Sequence, residues 1–85
     1  ITRSVTIQNS VGLHARPATF FIQKANSFKS SIWVEKEDRR VNAKSLLGVL
    51  SLAVSKGDVI TLSAEGADEA EAVVGLSQLI SELED

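Results

Sequence analysis

The chain has 85 residues, 44% of them hydrophobic and 24% charged, with a formal net charge of -2, a size that predicts one domain over residues 1–85. With no cysteine and a single histidine, His14, disulfides, iron–sulfur clusters, thiolate zinc sites, cysteine nucleophiles and imidazole-rich metal centres are excluded, so neither metal nor cofactor is expected. No run nears the ~20 apolar residues of a membrane span, and the first residues lack a signal-peptide core, so a cytoplasmic location with no membrane partner is expected.

Ile1, Val5 and Ile7 alternate with Thr2, Ser4, Thr6 and Gln8, a period of two that predicts a strand with one buried face. Asn9, Ser10 and Gly12 end it. Ala18, Phe21, Ile22 and Ala25 then fall at helical spacing, which predicts an amphipathic helix from Ala15 to about Asn26. Pro17 sits in its first turn, where a missing N–H is harmless. His14 is therefore at or just before the helix N-terminus.

Ile32 and Val34 alternate with Trp33 and Glu35, and Val41 resumes the pattern, so residues 31–43 are expected to form a hairpin turning near Glu37 and Asp38. Ser45 is suited to capping a short helix that carries Leu46, Leu47, Val49, Leu50 and Leu52. These are more apolar positions than one face can bury, so some should be exposed. Lys56-Gly57-Asp58 turns into a strand with Ile60, Leu62 and Ala64 on one face, closed by Gly66. Asp68 with Glu71 gives a capping-box-like start to the last helix, whose stripe of Ala72, Val73, Leu76, Leu79, Ile80 and Leu83 is expected in the core.

The order β-α-β-β-α-β-α leaves too few residues for parallel crossovers throughout. It predicts an α+β open-faced sandwich, a four-stranded antiparallel sheet covered on one face by three helices. A domain this short buries roughly 60% of the surface its unfolded chain exposes, so reactive chemistry should sit at the surface.

All nine basic residues lie in positions 1–56 against Glu35, Glu37 and Asp38, a balance of +6, whereas positions 57–85 hold eight acids and no base. Such a split favours protein partners or phosphate groups over a wide nucleic-acid footprint, although plain surface solvation also explains it. A sheet that reads RNA needs aromatic platforms among basic residues. Three Phe, one Trp and no Tyr do not supply them, so no direct nucleic-acid partner is expected.

Gly12-Leu13-His14-Ala15-Arg16-Pro17 puts an imidazole where free backbone N–H groups emerge from a helix, a setting that attracts anions. Arg16 adds a guanidinium able to grip phosphate oxygens. Both features suit a histidine that accepts a phosphoryl group and gives it up again; on spacing alone, a lone histidine near a helix start is more often a capping or surface residue.

Gly12 to Ala18, Val41-Asn42-Ala43-Lys44-Ser45 and Leu46-Leu47-Gly48-Val49-Leu50-Ser51-Leu52 together resemble, in order and over essentially the whole chain, the HPr family. These are the histidine-containing phosphocarriers of the bacterial phosphoenolpyruvate-dependent sugar phosphotransferase system. The resemblance implies that His14 is phosphorylated on Nδ1 by enzyme I and donates to sugar-specific IIA domains, without being an enzyme itself. Arg16 matches the arginine beside the phosphate, and Pro17 the proline that opens the helix. Leu47-Gly48 and Ser51-Leu52-Ala53-Val54 lean toward the Gram-positive type. In that type the serine matching Ser45 is phosphorylated by HPr kinase/phosphorylase, making a corepressor for the catabolite control protein in carbon catabolite repression. The resemblance further implies that Leu46, Leu47 and Leu50, with Thr19 and Gln23, meet enzyme I and the other partners. A regulatory HPr paralogue acting through Ser45 alone is the nearest alternative, but such proteins lack the active histidine. A monomer is expected. Origin as a domain of a longer phosphotransferase polypeptide stays open, since methionine is absent even at position 1.

Overall fold

The computed structural model describes residues 1–83, in which the order is β1 (Thr2–Thr6), α1 (Ala15–Asn26), β2 (Ser31–Lys36), β3 (Arg39–Asn42), α2 (Leu46–Ser51), β4 (Val59–Glu65) and α3 (Glu69–Glu82). The strands form one sheet in the order β1-β4-β2-β3, and every neighbouring pair is antiparallel. The architecture is the open-faced sandwich read from the sequence, with the helices on one face.

Alternation along the central strands makes this layering. Ile32 and Val34 of β2 and Ile60, Leu62 and Ala64 of β4 are buried against the helices, whose inward residues include Ala18, Phe21, Val49, Val73 and Leu76. The intervening residues, among them Ser4, Thr61 and Trp33, form the uncovered face; there the Arg40 guanidinium lies 4.3 Å from the centre of the Trp33 ring. The β2–β3 hairpin turns at Glu37 and Asp38, with Glu37 in the left-handed region (φ 57°).

Three details depart from the sequence reading. Ile1 is exposed, because β1 is an edge strand and only Val5 near its end and Ile7 just beyond it are covered by the helical layer. Leu79 and Leu83 are half-buried rather than fully in the core. The capping box from Asp68 to Glu71 does not form. The Asp68 carboxylate instead accepts hydrogen bonds from the backbone N–H groups of Lys29 and Ser30, both at 2.9 Å, and from the Ser30 hydroxyl. Glu69 Oε1, one residue on, accepts from Gly66 N at 3.2 Å. A loop distant in sequence has claimed the capping side chain.

Candidate functional site

The geometry around His14 begins with Gly12. Its φ of +60° lies in the left-handed region, and a Cβ built there would meet the Val54 carbonyl oxygen at 2.2 Å, so only glycine fits. Asn9 Nδ2 donates to the Gly12 carbonyl at 3.0 Å, and Leu13 N donates to Val54 O at 3.1 Å. Leu13 is buried in the core. The segment is thus nailed down on both sides immediately before His14, which emerges exposed.

His14 is the N-cap residue of α1, extended at φ -76° and ψ -173°, and its side chain makes no capping hydrogen bond. Among the described residues the imidazole has no hydrogen-bond partner. Its own carbonyl accepts from Ala18 N at 2.8 Å, and Pro17 has no N–H to give. Of the four donors that a helix start leaves without intrahelical partners, Pro17 lacks one, and those of His14, Ala15 and Arg16 remain at the end from which the ring emerges. With no acidic residue in the first turn of α1, nothing there neutralises the positive end of the helix dipole.

His14, Arg16 and Pro17 come together along one open groove of about 750 Å³, whose other walls include Phe20, Leu79 and Glu82. Among the described residues the Arg16 guanidinium makes no ion pair. It is exposed and available to an anion beside the ring. Sequence reasoning missed two parts of this site. Leu79 and Glu82 come from α3, and their presence in the groove follows from the packing of α1 against α3. The Asn9 and Val54 braces join a loop to a segment far along the chain, a pairing that no local pattern announces.

The remaining predicted residues do not line the His14 groove. Ser45 is the N-cap of α2, with its hydroxyl accepting from Gly48 N at 3.2 Å. Asn26, the last residue of α1, donates through Nδ2 to Lys44 O at 3.4 Å, so Ser45 stands by the tail of the helix that His14 heads. At 1.5 Å per residue the two ends of α1 are ~18 Å apart. On α2, Val49 and Leu52 are buried, while Leu46 is 41% and Leu47 80% exposed. Leu50 is half-buried and packs on the core. Thr19 and Gln23, one helical turn apart on α1, are exposed, and the Thr19 hydroxyl donates to Ala15 O at 2.8 Å.

The family model for the PTS HPr component phosphorylation site matches residues 1–82. Phosphocarrier protein HPr of Neisseria meningitidis serogroup A is 51% identical over 81 residues, covering 95% of this chain and 91% of that protein. HPr-like protein Crh of Bacillus subtilis is 45% identical over 82 residues, covering 96% of each. Among solved structures, HPr of Thermoanaerobacter tengcongensis superposes with a TM-score of 0.93 at 53% identity, covering 95% of this chain and 91% of that one.

Proposed function

The chain belongs to the HPr family, the phosphocarriers of the sugar phosphotransferase system, and from that premise we propose that His14 takes a phosphoryl group from phosphorylated enzyme I and passes it to IIA domains in the cytoplasm. The observation that carries the assignment to His14 is its state in the fold: exposed, free of any capping bond, and set at a helix start in one groove with Arg16. A neutral ring nitrogen attacks phosphorus in line. The new P–N bond forms as the donor's P–N bond breaks, and the donor nitrogen leaves with the electron pair. The Ala15 and Arg16 N–H groups and the Arg16 guanidinium face the equatorial oxygens, where charge accumulates. These contacts are few and solvent-exposed, which suits a group that must be released again.

Regulation at Ser45 belongs to the same reading. HPr kinase/phosphorylase would esterify its hydroxyl, and the product would be read by the catabolite control protein beside the exposed Leu46 and Leu47. The test of the carrier role is incubation with phosphoenolpyruvate and enzyme I, followed by intact mass and exposure of the adduct to acid. One acid-labile phosphate on the wild type and none on His14→Ala is expected, with the two proteins melting at similar temperatures because the side chain makes no capping bond. Undiminished labelling of His14→Ala would end the assignment. Likeness to the HPr-like protein Crh favours a second reading, regulation through Ser45 alone. A wild-type chain that enzyme I fails to label, but that an ATP-dependent kinase labels at Ser45, would select it.

A further inference from the structure

The sheet has two free edges, and they are unequally protected. β3 is four residues long and carries Arg39 and Arg40, and charge with brevity discourages further pairing. β1 has neither proline nor lysine, and its register against β4 runs without a bulge from Thr2 to Thr6. Ile1 O accepts from Ala64 N, Ile7 N donates to Asp58 O, and Ile7 O accepts from Gly57 N. The alternation of an antiparallel ladder therefore turns the odd-numbered residues toward β4 and the N–H and C=O groups of Thr2, Ser4 and Thr6 outward.

Alongside this edge, between β1 and α3, runs an open groove of about 780 Å³. Val5, Ile80 and Leu83 give it an apolar floor, and Arg3 is the one charged side chain lining it among the described residues. Asn9 and Ser77 also line it. They are 8% and 9% exposed, and Asn9 Oδ1 and Ser77 Oγ have no hydrogen-bond partner among the described residues. Buried polar groups are nearly always paired, so two orphans in one groove set it apart from ordinary surface.

We propose that the β1–α3 groove docks an extended segment of a partner protein, added as a fifth strand along β1 with an acidic side chain set against Arg3. Main-chain bonds to Thr2, Ser4 and Thr6 supply affinity, and alternate side chains entering the groove supply selectivity. Arg3 favours a carboxylate, since among the described residues the lining holds no acid to compete. The Ser77 hydroxyl gains a partner by a change of one side-chain torsion. A second copy of this chain fits less well. Pairing β1 with its twin about Ser4 sets the two Arg3 side chains on a diagonal, like charge near like charge. The site stands apart from His14 chemistry and does not depend on it.

The test uses the full chain, isotope-labelled for amide NMR, and a short capped peptide that alternates valine and threonine around a central glutamate. The amides of Thr2, Ser4 and Thr6 are expected to shift and to exchange more slowly, those of Asn9 and Ser77 to shift with them, and those of Leu46 and Leu47 to stay in place. Ser4→Pro removes an outward N–H without touching the β4 ladder, and should abolish binding, as should proline at the peptide's centre. Arg3→Glu alters only an exposed side chain; it should weaken the glutamate peptide about tenfold and restore affinity for a lysine peptide. Shifts confined to the His14 groove, equal affinity for the proline peptide, or no shift at millimolar peptide overturn the proposal. So does a doubled mass without peptide, accompanied by concentration-dependent shifts at Thr2, Ser4 and Thr6, which assigns the edge to a second copy.

Discussion

At the scale of single residues, two left-handed positions have opposite consequences. Gly12 holds its φ of +60° without strain, and its bare Cα lets the loop lie against the Val54 carbonyl. Gly12→Ala should combine an unfavourable backbone region with an impossible contact, costing about 2–4 kcal/mol in denaturant unfolding. Phosphotransfer should slow as well, since the loop can escape the clash only by lifting His14 out of place. Ala53, just beyond α2, has φ 51° with a Cβ in the way. Glycine is the usual residue at such a position after a helix. Ala53→Gly should therefore raise stability, by about 0.5–1 kcal/mol after the extra flexibility of the unfolded chain is counted, as read from the thermal midpoint. Neither effect was legible in the sequence. Gly12 reads locally as the end of a strand and Ala53 as one member of the run before a turn, because the atoms that decide both positions belong to the folded backbone.

Among the elements, α1 was legible down to its bounds and the β2–β3 hairpin to within one residue, since each carries its own signals: Pro17 and helical spacing in one, alternation around Glu37 and Asp38 in the other. The start of α3 was not. Asp68 carries the mark of a cap, but the backbone at Lys29 and Ser30 competes for its carboxylate and wins. The Ser30 hydroxyl foremost, and then the Lys29 N–H, hold the Asp68 carboxyl well below its ordinary 3.8, at about 2. A carboxylate stabilised in this way contributes fully above its unfolded value, and the contribution is lost as pH falls through the folded one. Acid unfolding should thus steepen between pH 3.8 and about 2, and Asp68→Asn should flatten that stretch while lowering stability at neutral pH. Unfolding midpoints measured across the window for both proteins check it. Similarly, the pattern on α2 foretold surplus leucines but not which ones: Leu47 and Val49 differ only in the face that packing selects.

For the whole molecule, the relevant measure is the length of α1, which separates His14 from Ser45 by ~18 Å. Surface charges that far apart lie beyond the ~8 Å over which physiological salt screens them. A negative charge at Ser45 therefore has little direct effect on the His14 phosphate, and any coupling must pass through a partner that spans both ends. Ser45→Asp should bind enzyme I about tenfold more weakly, because its charge must be desolvated or must face acidic partner groups. Its melting temperature should hold, since aspartate is itself a good N-cap. Ser45→Ala is the control, expected to lose about 1 kcal/mol of stability and to keep its affinity. Equal affinity of Ser45→Asp and wild type in a titration with enzyme I would remove α2 from the docking surface. The strand order has a further consequence, for the timing of folding. β4 lies between β1 and β2 in the sheet yet comes last among the strands in the chain. During synthesis β1 emerges first and has no partner until residues 59–65 follow it, so the hairpin of β2 and β3 is the only part of the sheet that can form early. Closure awaits contacts between distant parts of the chain, which places this small protein with the slower folders of its size. It also leaves the Thr2–Thr6 segment without its sheet partner for the whole interval in which residues 7–58 are made.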